Sequence, residues 1–242
     1  MNDVLLPYLR RFVLVFFDDI LIYSSSWTDH LRHVRTVLRM LQDHQLFLKR
    51  SKCAFGQSSV AYLGHVISEE GVAMDKQKVQ AVLNWPVPKS ARAVRGFLGL
   101  AGYYRRFIRD FGVVAAPLTA LLKKEGFRWN DDAERVFRTL QQALTTALVL
   151  QLPDFDREFI VECDASGSGF GAILHQGAGP LAFFSKPIAP RHARLAAYER
   201  VLIGLVQALR HWRPYLWGRR FVVRTDHHSL CFILDQRLTT IP

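Results

Sequence analysis

The chain has 242 residues, half of them hydrophobic, which excludes an intrinsically disordered protein and leaves room for two domains. Its formal net charge is +11 and its sequence pI is ≈ 10.0. We therefore expect a polyanionic partner, most simply nucleic acid, with an anionic membrane surface as the alternative. No apolar run approaches the roughly 20 residues that span a bilayer, and no signal-peptide pattern follows Met1. A soluble intracellular protein with no membrane partner is expected.

The cysteines and histidines argue against a zinc site or a disulfide framework. Cys53, Cys163 and Cys231 lie far apart and form no Cys-x-x-Cys pair, and the nine histidines are scattered. We expect the three cysteines to be reduced and structural.

Two apolar runs between Phe12 and Ser24 flank the adjacent acidic pair Asp18 and Asp19. The β-branched and aromatic residues of these runs predict two short strands joined by a carboxylate turn. Two carboxylates held side by side against a sheet repel each other and lose hydration, so a bound divalent cation would relieve the turn. The alternative is an ordinary acidic hairpin, because Asp is common in turns.

Further along the chain, capping residues and apolar spacing predict the helices. Ser26 is the expected N-cap of a helix with Leu31, Val34, Leu38 and Leu41 in the core. A short strand is expected over residues 46–49 and a second hairpin over residues 60–68. Helices capped by Asp75 and Ser90 follow, the first ending at Trp85-Pro86, then one after Pro117 and one over residues 131–144.

The helical stretch from Lys76 to Arg109 carries eight basic residues and no acidic residue. Positive charges on one surface repel each other unless a polyanion binds there. The run Tyr103–Phe107 also mixes aromatic and basic side chains, which suits contacts to bases and phosphates. Because some of these aromatic residues must form the helical core, the arginines are the better candidates for nucleic-acid contacts.

From about residue 150 the pattern changes to strands, which predicts a domain boundary. Strands are expected over residues 159–164, 170–175 and 181–185, a long helix over 191–212, and a strand over 220–225. Three strands, a helix, a strand and a helix describe a ribonuclease H-like fold. Asp164 and Asp226 at strand ends are the arrangement that holds Mg²⁺ in that fold.

Phe16-Phe17-Asp18-Asp19 resembles the aromatic-x-Asp-Asp motif of reverse transcriptases. Residues 52–68 contain Lys-Cys-x-Phe followed by Tyr-Leu-Gly-His-x-Ile-Ser, and the helical stretch contains Trp-Pro-x-Pro followed by Arg-Gly-Phe-Leu-Gly-Leu-Ala-Gly-Tyr-Tyr-Arg-Arg-Phe-Ile. The last part contains Glu-Cys-Asp-Ala-Ser, Tyr-Glu-Arg, His-Trp-Arg-x-Tyr-Leu-x-Gly and Thr-Asp-His-x-Ser-Leu. With these motifs, the chain resembles gypsy-class long-terminal-repeat retrotransposon Pol polyproteins over nearly its whole length.

The resemblance implies a multidomain fold of the α+β and α/β classes. Residues 1–70 are the expected C-terminal part of the palm, built from β-hairpins and a helix; 71–150 a helical thumb; and 151–242 a C-terminally truncated ribonuclease H-like domain. The implied activities of the intact parent are RNA-directed DNA synthesis and cleavage of RNA in RNA–DNA hybrids, both by two-metal chemistry. Such an enzyme is a transferase and hydrolase, and it is expected in a cytoplasmic particle or the nucleus.

The resemblance also implies the site residues and their partners. Asp18, Asp19, Asp164 and Asp226 are the expected catalytic and metal-binding residues, with Mg²⁺ or Mn²⁺ as the cofactor. The expected nucleic-acid contacts are Phe17, Gly64 and His65 of the turn and primer grip, and Arg92, Arg95, Tyr104, Arg105 and Arg106 of the thumb. The implied partners are an RNA–DNA hybrid or DNA duplex template-primer, a dNTP in the intact parent, and upstream and downstream polyprotein domains.

The sequence departs from the family at the start of the long helix. Family members read Tyr-Glu-x-Glu-Leu there, and the second glutamate is the metal ligand; this chain has Val201 at that position. Glu199 lies about 200° around the helix from it, so we expect it to point away from the metals and not to substitute for the missing ligand. The fingers, the third palm aspartate and the end of the ribonuclease H-like domain are also expected to be missing. The open alternative is therefore a catalytically decayed relic that only binds duplexes through its thumb.

Overall fold

The computed structural model describes residues 1–123 and 127–226, which fall into two compact units, 1–63 and 64–226. The motif residues His227 and Ser229 and the expected structural Cys231 lie outside the described residues. Within the described ranges, no helix has the length and apolar character needed to cross a membrane.

The first unit contains the predicted carboxylate hairpin. Its elements are α1 (Asn2–Leu5), β1 (Val13–Phe16), β2 (Asp19–Ile22), α2 (Trp27–Asp43) and β3 (Ser59–Tyr62). Strands β1 and β2 pair antiparallel from Val13–Ile22 to Phe16–Asp19. Ser26 caps α2, since its hydroxyl accepts a hydrogen bond from the Asp29 amide at 3.1 Å. Both predictions are confirmed.

Two details of the first unit differ from expectation. The core face of α2 is formed by Val37 and Leu41, which pack against α1 and β1, whereas Leu31 and Leu38 are exposed. Residues 46–49 form no strand, because no neighbouring strand supplies the hydrogen bonds that a strand needs, and the chain passes into a 3₁₀ turn at Arg50–Lys52.

The helical part of the second unit follows the antiparallel pair β4 (His65–Ser68) and β5 (Gly71–Met74). Its helices are α3 (Lys76–Leu83), α4 (Ala91–Tyr103), α5 (Phe111–Val114), α6 (Ala116–Ala120) and α7 (Asp131–Thr145). The side chains of Asp75, Ser90 and Asn130 cap α3, α4 and α7 respectively. Pro117 lies inside the first turn of α6 rather than before the helix, a position where its missing N–H costs nothing.

The remaining part of the second unit is a four-stranded sheet in the order β8-β7-β6-β9. The strands are β6 (Phe159–Ala165), β7 (Gly169–His175), β8 (Pro180–Pro187) and β9 (Phe221–Arg224), with α8 (Ala197–His211) and α9 (Arg213–Leu216) before β9. Strands β6 to β8 are antiparallel and β9 is parallel to β6. The long helix begins at Ala197 rather than Arg191, because the Glu199 carboxylate accepts a hydrogen bond from the Ala196 amide and starts the helix there.

The two faces of this sheet have different neighbours. Val161, Cys163 and Leu174 share one core with Val201 of α8. On the opposite face, Phe183 and Ile173 join the core of the preceding helices. The helical segment and the sheet are therefore joined by shared apolar packing.

Glycine permits the close approach of α5 to that opposite face. The amide of Gly112 donates a hydrogen bond to the Ser185 hydroxyl at 2.8 Å. A Cβ atom at Gly112 would lie 2.6 Å from the Ser185 carbonyl oxygen, and one at Gly169 would collide with Cγ2 of Val113 on α5. Such distances are shorter than van der Waals contact, so larger residues would push α5 off the sheet.

Candidate functional site

Asp18 and Asp19 lie at the tip of the first hairpin. Phe16 pairs with Asp19 across the strands, which leaves Phe17 and Asp18 as the turn. Phe17 takes the left-handed backbone conformation, with φ 50°, although it is not a glycine, and its side chain is 81% exposed. A bulky residue in this conformation is strained, which is characteristic of functional turns. The carboxylate pair is thus presented to solvent beside an exposed aromatic ring.

Tyr62 of β3 lies near this carboxylate pair. Burial raises the pKa of the Tyr62 hydroxyl, and the negative charge of Asp19 raises this pKa further. The second effect requires that the Asp19 carboxylate be close enough for its charge to oppose ionisation of the phenol. Tyr62 is therefore a reporter of the charge at the turn.

The second group of expected site residues surrounds His65. Gly64 has φ 72°, and its carbonyl oxygen accepts a hydrogen bond from the Tyr104 hydroxyl at 2.7 Å. The His65 ring lies 5.4–5.6 Å, between centroids, from the rings of Tyr103, Tyr104 and Phe107. The predicted primer grip and the start of the predicted thumb surface are therefore in contact.

The charge state of His65 follows from this packing. Burial lowers the pKa of His65, the positive charge of Arg106 lowers it further, and a hydrogen bond with the Gly64 backbone opposes them. The imidazole is therefore biased towards its neutral form, which can both donate and accept a hydrogen bond.

One thumb residue requires a correction. Tyr104 is only 1% exposed, and burial raises the pKa of its hydroxyl to about 12, with smaller effects of Tyr103 and Asp75. Because its ring is enclosed and its hydroxyl is committed to Gly64, Tyr104 anchors the β4 turn and has no surface to offer to nucleic acid.

The thumb arginines are placed differently from one another. Arg92, Arg95 and Arg105 are exposed, on α4 and the turn that follows it. Arg106 is half-buried, with its guanidinium 5.3 Å from the centroid of the Phe107 ring. The first three are therefore available to phosphates, whereas Arg106 also contributes to packing around His65.

Asp164 and Asp226 line one cleft at the end of the four-stranded sheet. The cleft has a volume of about 490 Å³. Glu162 of β6 pairs with Arg224 of β9, so Asp164, two residues further along, is level with Asp226. The structure thus brings together two residues that are far apart in the sequence, at the position expected from the fold.

The cleft also contains charged residues that sequence reasoning missed. Arg109 and Asp110 form one wall. The Asp110 carboxylate oxygen lies 2.5 Å from where a Cβ of Gly171 would stand, and Gly171 is the cross-strand partner of Asp164. Asp110 is therefore on the same face as Asp164. The only local signal is its left-handed backbone, φ 55°, which Asp tolerates better than most residues.

Glu162 lines the same cleft but is already engaged. Its carboxylate lies 3.2 Å from His175 Nε2 and 3.7 Å from an Arg224 guanidinium nitrogen. These contacts direct the carboxylate along the sheet, and the Arg224 charge partly offsets its own.

Val201, at the expected third ligand position, faces away from the cleft. It is 0% exposed, and its carbonyl oxygen lies 3.8 Å from the Cys163 sulfur, on the sheet face opposite Asp164. Burial, and to a lesser extent the charge of Asp164, raises the pKa of the Cys163 thiol to about 12, so this position is apolar in character. Glu199 caps the helix at Ala196 and does not line the cleft.

The donor set in the cleft fits one Mg²⁺ ion held together with substrate phosphates, a common way of binding this ion. Within residues 1–123 and 127–226, no group of three or more His, Cys, Asp or Glu side chains is arranged to hold a metal ion.

Comparison with known proteins gives two family matches. Residues 1–67 match the family model described as reverse transcriptase (RNA-dependent DNA polymerase), and residues 129–223 match the one described as RNase H-like domain found in reverse transcriptase. Both families are in general dependent on divalent metals. The chain thus carries a reverse transcriptase region followed by a ribonuclease H-like region.

Curated relatives show a similarity to one class of retrotransposon. The chain is 36% identical over 235 residues to the retrovirus-related Pol polyprotein from transposon 297 of Drosophila melanogaster, covering 95% of this chain and 22% of the relative. It is 35% identical to that from transposon gypsy of the same species, covering 99% and 24%. The chain is thus similar to gypsy-class retrotransposon Pol polyproteins along nearly its whole length, and it spans under a quarter of the length of these two relatives.

Solved structures support the fold. The foamy viral protease-reverse transcriptase dRH in complex with ds DNA matches with a TM-score of 0.88 at 21% identity, covering 99% of this chain and 44% of that chain. The foamy viral protease-reverse transcriptase in complex with RNA/DNA hybrid matches with a TM-score of 0.86 at 20% identity, covering 99% and 34%. The predicted palm, thumb and ribonuclease H-like folds are confirmed.

Proposed function

We propose that this chain is a duplex-binding part of a reverse transcriptase and ribonuclease H, holding an RNA–DNA hybrid or a DNA template-primer. The observation that carries the proposal is the exposure of Arg92, Arg95 and Arg105, on α4 and the turn that follows it, in a segment without acidic residues. Guanidinium groups on one surface bind successive phosphates without reading sequence. The foamy viral relatives of the same fold, described with dsDNA and RNA/DNA hybrid, support this choice of partner.

For DNA synthesis, Asp18 and Asp19 are the proposed metal-binding residues and Phe17 the proposed aromatic contact. Mg²⁺ or Mn²⁺ would supply charge neutralisation for a primer hydroxyl attacking a dNTP. The two carboxylates would hold the metal ion at the hairpin tip. Gly64 and His65 would hold the primer end. In the complete polyprotein, neighbouring domains would supply the remaining contacts.

For cleavage of the RNA strand of a hybrid, Asp164 and Asp226 are the proposed metal-binding residues. The competing function at this site is duplex binding without cleavage. Val201 leaves the third ligand position apolar, which favours a duplex-binding chain without cleavage.

We propose the domain assignment 1–70 palm, 71–150 thumb and 151–242 ribonuclease H-like. A cytoplasmic particle or the nucleus is the proposed location, since the template would be found there.

The test is a duplex-binding titration on charge-reversal variants. Replacing Arg92, Arg95 and Arg105 by Glu removes three phosphate contacts, so we expect binding to weaken strongly and the slope of log affinity against log salt to fall by about 0.9 per lost contact. Arg106 is left intact because it is half-buried beside Phe107.

A double variant provides the matched control. Arg92→Glu with Arg95→Glu is compared with Arg35→Glu and Arg39→Glu, which make the same charge change on the exposed side of α2. Equal losses in the two pairs would show only a general charge effect. An unchanged affinity in the thumb variants would remove the thumb assignment.

A further inference from the structure

A basic and aromatic surface lies on the ribonuclease H-like part of the chain, away from the Asp164 cleft residues. Between Glu199 and Asp226 the sequence has six arginines and no acidic residue. Four of these arginines and one tryptophan are exposed at the end of α8, on α9 and in the turn before β9. We call this the 210–220 surface; it consists of Arg210, Arg213, Trp217, Arg219 and Arg220.

Trp217 is the centre of this surface. Its indole is 73% exposed, and the Arg213 guanidinium lies over the ring at 4.1 Å from its centroid. A large exposed indole is unfavourable in water, and the stacked arginine holds it in one orientation without covering it. The free face of the ring is suited to stack against a planar group.

Arg219 is fixed beside Trp217 in a similar way. Its guanidinium lies 5.0 Å from the centroid of the Phe155 ring and donates a hydrogen bond to the Phe155 carbonyl oxygen. The adjoining loop contains Asp154, Asp156 and Glu158. Even so, within the part of the chain that the structure describes, no carboxylate lies within 4 Å of Arg210, Arg213, Arg219 or Arg220. Their charge is therefore available to a polyanion.

The end of α8 and the turn that carries Arg105 both lie near β8. His211 stacks on Phe184 of β8 with 4.7 Å between ring centroids. Burial lowers the pKa of His211, and the charge of Arg105 lowers it further, which places this thumb arginine near the end of α8. One end of the proposed duplex surface is thus near Arg210, the first residue of the 210–220 surface.

We propose that the 210–220 surface binds a single-stranded nucleic-acid extension of the duplex held by the thumb, with one base stacked on Trp217 and phosphates on Arg213, Arg219 and Arg220. The proposal rests on the proposed duplex-binding function, and it adds a second, single-stranded contact. Bases unpaired from a duplex expose flat faces, and aromatic and arginine side chains bind them with little sequence preference.

The experiment compares a fluorescein-labelled blunt DNA duplex with the same duplex carrying a poly-dT overhang, titrated by anisotropy. Trp217→Ala should weaken binding of the overhang duplex by about 5- to 150-fold, the range for loss of one base stack. The affinity of the Trp217→Ala variant for the blunt duplex should be unchanged. Trp217→Phe should restore part of the loss, because phenylalanine retains a stacking face.

Trp27→Ala is the matched control, since Trp27 is also exposed but lies on α2. Equal weakening by Trp27→Ala and Trp217→Ala, or no weakening by Trp217→Ala, would overturn the proposal. Circular dichroism of each variant checks that it is folded, and Arg213→Gln, which keeps the indole, gives a second reading of the same surface. Unchanged overhang binding in Arg213→Gln would also count against it.

The test separates this proposal from the duplex proposal. The thumb variants should weaken both duplexes, whereas Trp217→Ala should weaken only the overhang duplex. If Trp217→Ala instead converts a self-associated chain into a monomer in sedimentation, with overhang binding intact, the surface is an interface between copies and the proposal is wrong.

Discussion

The two carboxylate pairs of this molecule are built in different ways. Asp18 and Asp19 are adjacent in the chain, and a tight turn presents both to solvent. Asp164 and Asp226 come from two parallel strands and meet only when β9 pairs with β6. A local motif therefore preserves the first pair even in isolation, whereas the second depends on the whole sheet and on whatever packs against it.

The neighbours of the second pair show what this dependence means. The Asp164 face is approached by Arg109 and Asp110 from the helical segment, while Val201 belongs to the core behind the sheet. The cleft is thus an interface between two structural layers as well as a candidate site. Substitutions there are expected to change stability first, and those at the hairpin tip to change local electrostatics first.

The largest expected effect is that of Val201→Glu. A carboxylate placed in this core without a partner should lower the free energy of unfolding by about 3–5 kcal/mol. Val206→Glu is the control on the same helix, because Val206 is 39% exposed and should change stability by about 0.5 kcal/mol or less. Urea unfolding measures both. Equal, small effects would show that position 201 faces the cleft after all.

A smaller effect is expected at the contact of α5 with the sheet. Gly112→Ala should cost about 1–3 kcal/mol, because the new methyl group would collide with the Ser185 carbonyl oxygen. Gly102→Ala on α4 has no atom within 4 Å of the new Cβ and should instead stabilise by up to about 1 kcal/mol. Thermal unfolding would show the two shifts, and shifts of the same sign would contradict the described packing.

The smallest expected effect lies at the hairpin. Asp19→Asn removes a negative charge near Tyr62, so the pKa of Tyr62 should fall towards its ordinary value of 10.0, while the part due to burial remains. Tyrosine ring signals followed by NMR against pH would measure this change. Asp43→Asn, on the exposed end of α2, should leave the Tyr62 titration unaltered. A pKa that stays fixed in Asp19→Asn would mean that the carboxylate points elsewhere.

Local signals allowed most elements to be predicted from the sequence. Ser26, Asp75 and Ser90 cap helices where expected, since a cap needs only the following amides. The Asp-Asp hairpin followed from two short apolar runs. The position of Asp164 and Asp226 at the same end of two neighbouring strands was also predictable, because it follows from the order of the strands.

The errors concern features that depend on tertiary contacts. Residues 46–49 have strand composition but no neighbouring strand, and Leu38 continues a helical stripe that no core covers. The sequence places Tyr104 within a basic run. It does not reveal that the ring is buried and that the hydroxyl donates a hydrogen bond to the Gly64 carbonyl oxygen. Asp110 could not be assigned to the cleft, because its position depends on how closely α5 packs on the sheet.

The most direct measurement is Mg²⁺-dependent cleavage of a labelled RNA–DNA hybrid, run beside a binding titration on the same hybrid. The account predicts binding that weakens steeply with salt and no cleavage above that of Asp164→Asn, which controls for contaminating nuclease. Mg²⁺-dependent cleavage that Asp164→Asn abolishes would contradict it, and would show that Asp164 and Asp226 support hydrolysis with valine at position 201.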